Sequence, residues 1–296
     1  MNKTVIERFI SDDGTVVASS VIATSVIEEA RMIHNTMPVA SAALGRALIG
    51  AGLLATFMKE NGRIALYFKG DGPLGNLFAE GSSDGSVRGF VNNPQIHVPS
   101  KNGKLNVGEG IGKGMLSVAT SLPHEKQPYT GTVEIQSGEI GEDIAYYLLQ
   151  SQQVPSIVAL GVFVEPDNSV SAAGGTIVQV MPGVKDETLG LLEKRVKEMK
   201  TVTEQIRAGA STSDLAFEIL EDLKFRKLDQ TFSFHYSCQC SSVRVERSLL
   251  LLGSKELQEL VDKKESTEVR CDFCGRKYSV DLDTLIGLLG LSKKKS

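Results

Sequence analysis

The stretches Cys238-Gln239-Cys240 and Cys271-Asp272-Phe273-Cys274 decide how this chain is organised. All four cysteines lie in the last 59 of the 296 residues, and none of the preceding 237 residues is a cysteine. Random placement would give such a cluster only about 0.2% of the time, so the thiols mark a site rather than background usage. In a reducing compartment, clustered thiols more often bind metal or perform redox chemistry than form structural disulfides.

The two pairs together predict a tetrahedral metal site. Gly275 follows the second pair and favours a tight turn that directs two sulfurs at one ion. Residues two apart in an extended segment face the same side, so the first pair can supply two more ligands. We therefore predict one Zn²⁺ per chain, bound by Cys238, Cys240, Cys271 and Cys274 in a closed, non-hydrolytic shell. The nearby His235 is not needed as a ligand, because four thiols complete the shell.

Each pair is also close enough in sequence to close on itself as a disulfide. The spacing C-x-x-C is common in redox proteins, whereas a C-x-C ring is strained. Five basic residues around the pairs favour the charged thiolates: Arg244, Arg247, Arg270, Arg276 and Lys277. Oxidation to disulfides would remove the metal ligands, and a unit that folds around metal would then unfold. On the residues alone, a plain structural zinc site and a redox-responsive one both stay open.

Composition and charge exclude several other classes. The chain has 32 basic and 36 acidic residues, and a formal charge of -4 makes it a poor partner for nucleic acid or an anionic membrane. Charged side chains between positions 7 and 13 interrupt any export signal, so we expect a cytoplasmic protein. The apolar stretch from Val39 to Met58 contains Arg46 and many small residues, which favours a buried helix over a membrane span.

Residues 1–182 are predicted to form an α+β core with antiparallel sheets and helices. Strands at 4–10 and 15–22 flank a turn-forming Asp-Asp-Gly and predict a hairpin, and residues 63–91 predict a three-stranded meander. Ser25 and Glu28 fit a capping box at the start of a helix that runs to about Asn35. A further helix is predicted over about 138–152, followed by strands at 157–164 and 176–180.

Residues 183–231 are predicted to be a helical linker. Of the sixteen residues from Lys185 to Lys200, nine are charged, and the apolar positions form only a narrow stripe. A second helix is predicted from Ser213 to about Leu223. Both an ordinary helical linker and a helix pair with marginal docking remain open, because narrow stripes with many charges are typical of low-stability units.

Residues 232–296 are predicted to be a small zinc-binding domain. An alternating segment at 232–236 leads into the first cysteine pair, and helices are predicted at 243–252, 254–261 and 281–291. Residues 276–280 predict a strand, and lysines at 293–295 form a short tail. So small a unit has little core of its own and benefits from a metal.

Two glycine-rich motifs do not support nucleotide binding. Residues 70–75 match G-x-G-x-x-G, but the following residues predict a strand, so a hairpin turn is expected instead of a dinucleotide loop. Residues 108–114 resemble a phosphate loop, but Gly114 stands where Ser or Thr must hold magnesium. The four histidines are scattered and form no paired or nucleophilic motif, so the chain is not expected to be an enzyme.

At these residues the chain resembles the heat-shock protein family of 33 kilodaltons, the redox-regulated holdase chaperones. The resemblance covers nearly the whole chain: the order of the cysteines, Ser137-Gly138-Glu139-Ile140, YYLLQSQQVPS at 146–156 and Met181-Pro182-Gly183. It implies an α+β core, a helical linker and a zinc redox switch. It also implies that the four cysteines bind zinc when reduced, and that oxidation joins Cys238 to Cys240 and Cys271 to Cys274.

The resemblance further implies an ATP-independent chaperone of oxidative and heat stress. The reduced, zinc-bound form would be inactive. Oxidation would release zinc, unfold the switch and linker, favour a homodimer, and expose a surface that binds unfolded or oxidatively damaged client proteins.

Two other classes compete with this prediction. A zinc module for nucleic acid is weakly supported, because residues 238–296 carry 11 basic and 9 acidic side chains. A disulfide oxidoreductase would use Cys271 and Cys274, but such motifs lie at a helix N-terminus, and a strand is predicted here.

Overall fold

The structure is a computed structural model that describes residues 3–59, 61–125 and 127–293. Its residues form two compact units, divided after Ser237. The sequence predicts three parts, with boundaries at 182/183 and 231/232. That division concerns function, and a division into compact units does not test it, so it stays a prediction. Lys294 and Lys295 of the predicted tail lie outside the described residues.

Within those ranges the chain forms fourteen strands and ten helices. The strands are β1 Val5–Ser11, β2 Val16–Ile22, β3 Arg63–Gly70, β4 Asn76–Ser82, β5 Ser86–Val91, β6 Gly114–Ser121, β7 Tyr129–Glu134, β8 Ser156–Val164, β9 Val170–Val180, β10 Phe225–Lys227, β11 Phe232–Ser233, β12 His235–Tyr236, β13 Thr267–Arg270 and β14 Lys277–Val280. The helices are α1 Thr24–His34, α2 Pro38–Ala55, α3 Val107–Ile111, α4 Gly141–Gln152, α5 Asp186–Glu198, α6 Val202–Arg207, α7 Thr212–Leu220, α8 Ser242–Leu250, α9 Ser254–Asp262 and α10 Leu282–Lys293. This mixture confirms the predicted α+β class.

Two six-stranded sheets build the first unit. The first sheet has the order β10-β1-β2-β9-β8, and β11 also pairs with β1. The second has the order β12-β5-β4-β3-β6-β7. The predicted hairpin (β1 and β2) and the predicted meander (β3 to β5) are both confirmed, with antiparallel pairing throughout.

The two glycine-rich stretches pack against each other by backbone. Leu74 donates its amide to the carbonyl of Gly110, and Gly72 donates to that of Ile111, both at 2.9 Å. A Cβ on Gly72 would lie 2.5 Å from the Gly110 oxygen, so only glycine permits this approach. Residues 70–75 therefore form a hairpin turn, as predicted, and their glycines allow the two backbone segments to pack closely.

Helix α2 lies between the sheets as the central element of the core. It packs against β4 and β5 of one sheet and against β8 and β9 of the other. Among the described residues it is the one helix long and apolar enough to cross a membrane, yet 89% of it is buried inside the protein. The prediction of a buried helix is confirmed. Arg46 ends in an ion pair of 2.6 Å with Glu139.

The predicted capping box of α1 is wrong, although the helix itself is present. The helix is preceded by Ala23, whose side chain cannot cap it. The carboxylate of Glu28 instead accepts hydrogen bonds from the guanidinium of Arg31 and from the amide of Val170. Arg31, three residues further on, and the distant Val170 have together taken the carboxylate that the local pattern assigned to the cap.

Helix α4 begins three residues later than predicted because of one buried carboxylate. Asp143 is fully buried and accepts the backbone amides of Gln136, Ser137, Gly138 and Ile140 at 2.8 to 3.4 Å. These bonds hold the preceding segment in a loop in which Ile140 has a φ of +68°.

The linker helices cover one face of the first sheet. We call this the covered face, defined by Phe9, Val16, Ala18, Val178 and Val180. It packs against the following linker side chains: Leu192, Ala216, Ile219 and Leu220. Helix α5 buries only Leu192, as its narrow stripe predicted. Helix α6, which the sequence pattern did not predict, packs on β8 and β9.

A short segment before the first cysteine pair spans both sheets of the first unit. We call residues 232–236 the strap. Its strand β11 pairs with β1 of the first sheet, and β12 pairs in parallel with β5 of the second. Between them Phe234 is only 1% exposed and lies in the main core. Backbone pairing at both ends and one buried ring therefore fix the strap to the core.

The second unit contains three helices and the β13–β14 hairpin. The predicted helices and the predicted strand after the second cysteine pair are confirmed. Its core is a small cluster: Val245, Leu249, Leu257, Val280, Leu285, Leu288 and Leu289. Seven buried side chains make a modest core for a unit of this length, which agrees with the expectation of an additional cross-link.

Candidate metal centre

The β13–β14 hairpin positions the second cysteine pair. Cys271 donates its amide to the carbonyl of Arg276 at 2.9 Å, and Gly275 donates to the carbonyl of Cys271 at 2.8 Å. Gly275 has a φ of +69°, which glycine adopts without strain. The turn directs two sulfurs to one side, as the sequence predicted.

The first pair lies just before helix α8. Ser241 caps this helix by accepting the amide of Arg244 at 3.3 Å, which fixes where the helix begins. Cys238 and Cys240 therefore stay outside the helix, with Gln239 between them. Helices α8 and α9 and strand β13 fill the long gap between the two pairs.

The four sulfurs converge on one point. The Sγ atoms of Cys238 and Cys271 are 3.7 Å apart, and those of Cys240 and Cys274 are 3.4 Å apart. All four lie within 4.8 Å of one another. Zn–S bonds of about 2.3 Å in a tetrahedron place sulfurs roughly 3.8 Å apart, so the donor set fits a tetrahedral metal ion. All four cysteines are free thiols here.

The thiols differ in how readily they lose a proton. Burial raises the pKa of Cys238 to about 12, and burial also raises the pKa of Cys274. Burial opposes ionisation of Cys240 as well, but hydrogen bonds from the Tyr278 hydroxyl and the neighbouring thiols outweigh it and lower its pKa to about 7. In the metal-free form, Cys240 therefore loses its proton before Cys238 and Cys274.

Tyr278 is a site residue that the sequence reasoning missed. Its hydroxyl donates to the Cys240 sulfur at 3.0 Å. The sequence predicts strand β14, but a strand alone does not determine which of its faces meets the cysteines. The signal in the sequence that could have identified Tyr278 as a site residue is its position in an alternating strand, four residues after Cys274.

Two of the predicted basic residues have different partners in the structure. The pKa of Arg276 is raised by its hydrogen bond to Tyr278 and by the charges of Tyr278, Cys240 and Cys274. Lys277 instead pairs with Glu268 at 2.9 Å. His235 bonds through Nδ1 to the carbonyl of Ser233 at 2.7 Å, and the candidate metal ligands are the four cysteines.

Comparison with known proteins places this fold and site in a family. The family model described as Hsp33 protein matches residues 5–281. The chain is 41% identical over 279 residues to a 33 kDa chaperonin of Geobacter sulfurreducens, covering 94% of this chain and 92% of that protein. It is 42% identical to a 33 kDa chaperonin of Aquifex aeolicus, covering 92% and 85%.

A solved structure agrees over the full length. The crystal structure of the 33 kDa chaperonin (heat shock protein 33 homolog) from Thermotoga maritima has a TM-score of 0.90 and 33% identity, and all of both chains is covered. The α+β fold that carries the four converging thiols is thus shared with a protein named as a 33 kDa chaperonin. The chain belongs to the Hsp33 family.

The family assignment bears on the competing classes. The relatives are named as chaperonins, and their names indicate no enzymatic activity. The second cysteine pair is followed by strand β14 and not by a helix, so the context expected of a thioredoxin-like oxidoreductase is not found there.

Proposed function

We propose that this protein is a redox-regulated, ATP-independent holdase that binds unfolding proteins during oxidative and heat stress. The observation that carries the proposal is the convergence of four free thiols within 4.8 Å in a unit with a small core. Chaperone activity follows from the family, whereas the redox control is our inference from this site.

We propose zinc as the metal and Cys238, Cys240, Cys271 and Cys274 as its ligands. The support is the donor set, because four thiolates favour zinc over harder ions. When bound, zinc supplies a cross-link between the segment before α8 and the β13–β14 turn. The seven-residue cluster of the second unit is then not the sole source of its stability.

The proposed switch is oxidation of these ligands by peroxide. A thiolate attacks one peroxide oxygen, the O–O bond breaks, and a sulfenic acid and hydroxide form. The neighbouring thiol then attacks the sulfenic sulfur and expels water, so two thiols and one H₂O₂ give one disulfide and two waters. Family resemblance supports pairing Cys238 with Cys240 and Cys271 with Cys274. Each disulfide removes two of the four ligands.

The covered face is the surface that the switch is proposed to release. Its residues Phe9, Val16, Ala18, Val178 and Val180 are buried by the linker helices and β10. Much of that cover is weakly held, because α5 buries one side chain and Arg195 joins it to Glu221 and Asp222 by ion pairs near the surface. A linker that opens would expose an apolar sheet face suited to unfolded chains.

The remaining features of the proposal concern partners and location. We propose client proteins as partners, a homodimer in the oxidised state, and a cytoplasmic location. A net charge of -4 supports protein partners over nucleic acid or membranes.

Light scattering tests the proposal directly. A chemically unfolded client is diluted into ATP-free buffer with this protein, either reduced and zinc-loaded or oxidised with peroxide at mildly elevated temperature. We expect only the oxidised form to suppress aggregation. Equal suppression by both forms would contradict redox control, and suppression by neither would contradict the holdase function. Metal analysis of the reduced protein should give one zinc per chain.

A further inference from the structure

Tyr278 connects the β14 strand to the candidate metal centre. It pairs with Val269 across the hairpin, and its ring packs against the apolar cluster of the second unit. Its hydroxyl lies 3.0 Å from the Cys240 sulfur and donates a hydrogen bond to it. The ring is fixed by packing and pairing, so the hydroxyl is held at the sulfur.

A cation lies near the tyrosine. The pKa of Arg276 is raised by Tyr278 and by the charges of Cys240 and Cys274, so its guanidinium acts on this end of the site. A cation near a phenol polarises the O–H bond and makes it a stronger donor. Loss of the Arg276 charge should therefore weaken the hydrogen bond from Tyr278 to Cys240.

This arrangement affects the chemistry of one sulfur. A hydrogen bond donated to a thiolate withdraws charge from it and lowers its nucleophilicity. The attack on peroxide uses an electron pair of that sulfur to form the S–O bond while the O–O bond breaks. A sulfur with less charge attacks more slowly.

We propose that Tyr278 is a positioning residue whose hydroxyl slows the oxidation of Cys240 in the metal-loaded protein, where the sulfur is already a thiolate, and helps retain the metal ligand set. The inference rests on the proposed function, because it concerns the thiols assigned there as ligands. Its consequence is that the first cysteine pair tolerates low oxidant concentrations.

Tyr278→Phe isolates the hydroxyl, because the substitution keeps the ring in the apolar cluster. Tyr129→Phe is the matched control, because Tyr129 is 56% exposed on β7 in the first unit. Removing a hydrogen bond to a charged group changes sulfur basicity by roughly ten- to a hundredfold. With a Brønsted slope of about 0.4–0.5, the attack on peroxide should become roughly three- to eightfold faster.

Two measurements test the proposal on the full-length protein. The first is the rate of zinc release under excess H₂O₂, followed with a chromogenic chelator. The second is the absorption of the Co²⁺-loaded protein, in which more charge on the sulfur moves the sulfur-to-cobalt charge-transfer band to longer wavelength. We expect Tyr278→Phe to show both changes and Tyr129→Phe to show neither.

The outcomes separate this inference from the proposed function. If the wild type loads no metal, the proposed function fails at its site, and the inference falls with it. If the wild type loads metal and Tyr278→Phe has the same charge-transfer band and the same zinc-release rate as the wild type, only the inference is overturned. Should Tyr278→Phe fail to fold, Arg276→Gln removes the cation near the tyrosine and should shift both readouts in the same direction by a smaller amount. Unchanged readouts in that variant would overturn the inference.

Discussion

Replacing Leu220 by alanine should open the linker without any oxidant. Leu220 ends helix α7, is 2% exposed and packs in the cluster on the covered face. The substitution deletes three buried carbons, which is worth about 2.4 kcal/mol in transfer free energy alone. The cavity adds to this, and about 3 kcal/mol is a central value for such a change. A docking equilibrium weakened by about 3 kcal/mol shifts roughly a hundredfold toward the open state.

Hydrogen exchange measures that shift in the reduced, zinc-loaded protein. Amides of α5 and α7 should exchange roughly a hundredfold faster, while those of the central strands β2 and β9 should change little, because only the linker opens. The reduced variant should also suppress client aggregation, which the reduced wild type should not. Leu149→Ala is the matched control, since Leu149 is 48% exposed on α4.

Three outcomes would refute this reasoning. Unchanged exchange in the linker would mean that Leu220 does not hold the cover in place. Equal effects of Leu149→Ala would mean that the change is not specific to the covered face. Faster linker exchange without client binding would show that the covered face is not the client surface.

Other predictions concern the core and the thiols. Asp143→Asn leaves one acceptor oxygen for four backbone amides and places an NH₂ group among donors. The free energy of unfolding of the core, measured by thermal unfolding, should therefore fall by about 2–4 kcal/mol. The metal content should not change. In the metal-free reduced protein, alkylation of Cys240 should rise with pH through a midpoint near 7, because the thiolate is the reacting form and its pKa is about 7. Peptide mapping should show Cys238, with a pKa of about 12, unmodified there. Replacing Cys271 and Cys274 by serine should abolish zinc binding and make the linker sensitive to protease; a variant that kept zinc and a resistant linker would contradict the proposed coupling.

Sequence reasoning succeeded where local chemistry is decisive. The residue type and spacing of the cysteines predicted their convergence, because a hairpin turn at Gly275 and a capped helix after Cys240 are both local structures. The β1–β2 hairpin and the meander were predictable for the same reason, since each strand pairs with its neighbour along the chain.

The failures occurred where a distant partner decided the outcome. The Glu28 cap was lost to Arg31 and to Val170, which is 142 residues away. Alternation predicted a strand at 232–236, but nothing local indicates that its two halves pair with β1 and β5. Tyr278 was missed because its role depends on which face of β14 meets a sulfur 38 residues earlier.

The strap makes the linker a loop that is anchored at both ends, which the sequence of the linker alone does not suggest. Because β9 ends at Val180 and the chain pairs with β1 again at β10 and then at the strap, the linker helices lie in a closed loop with both ends anchored, not in a free tail. Closing such a loop costs an entropy that grows only with the logarithm of its length. Its helices stay near the covered face at an effective concentration of the order of millimolar, whatever the protein concentration in solution. Clients that bind the covered face, as proposed, would have to outcompete this tethered occupant, and the surface would reclose once clients become scarce.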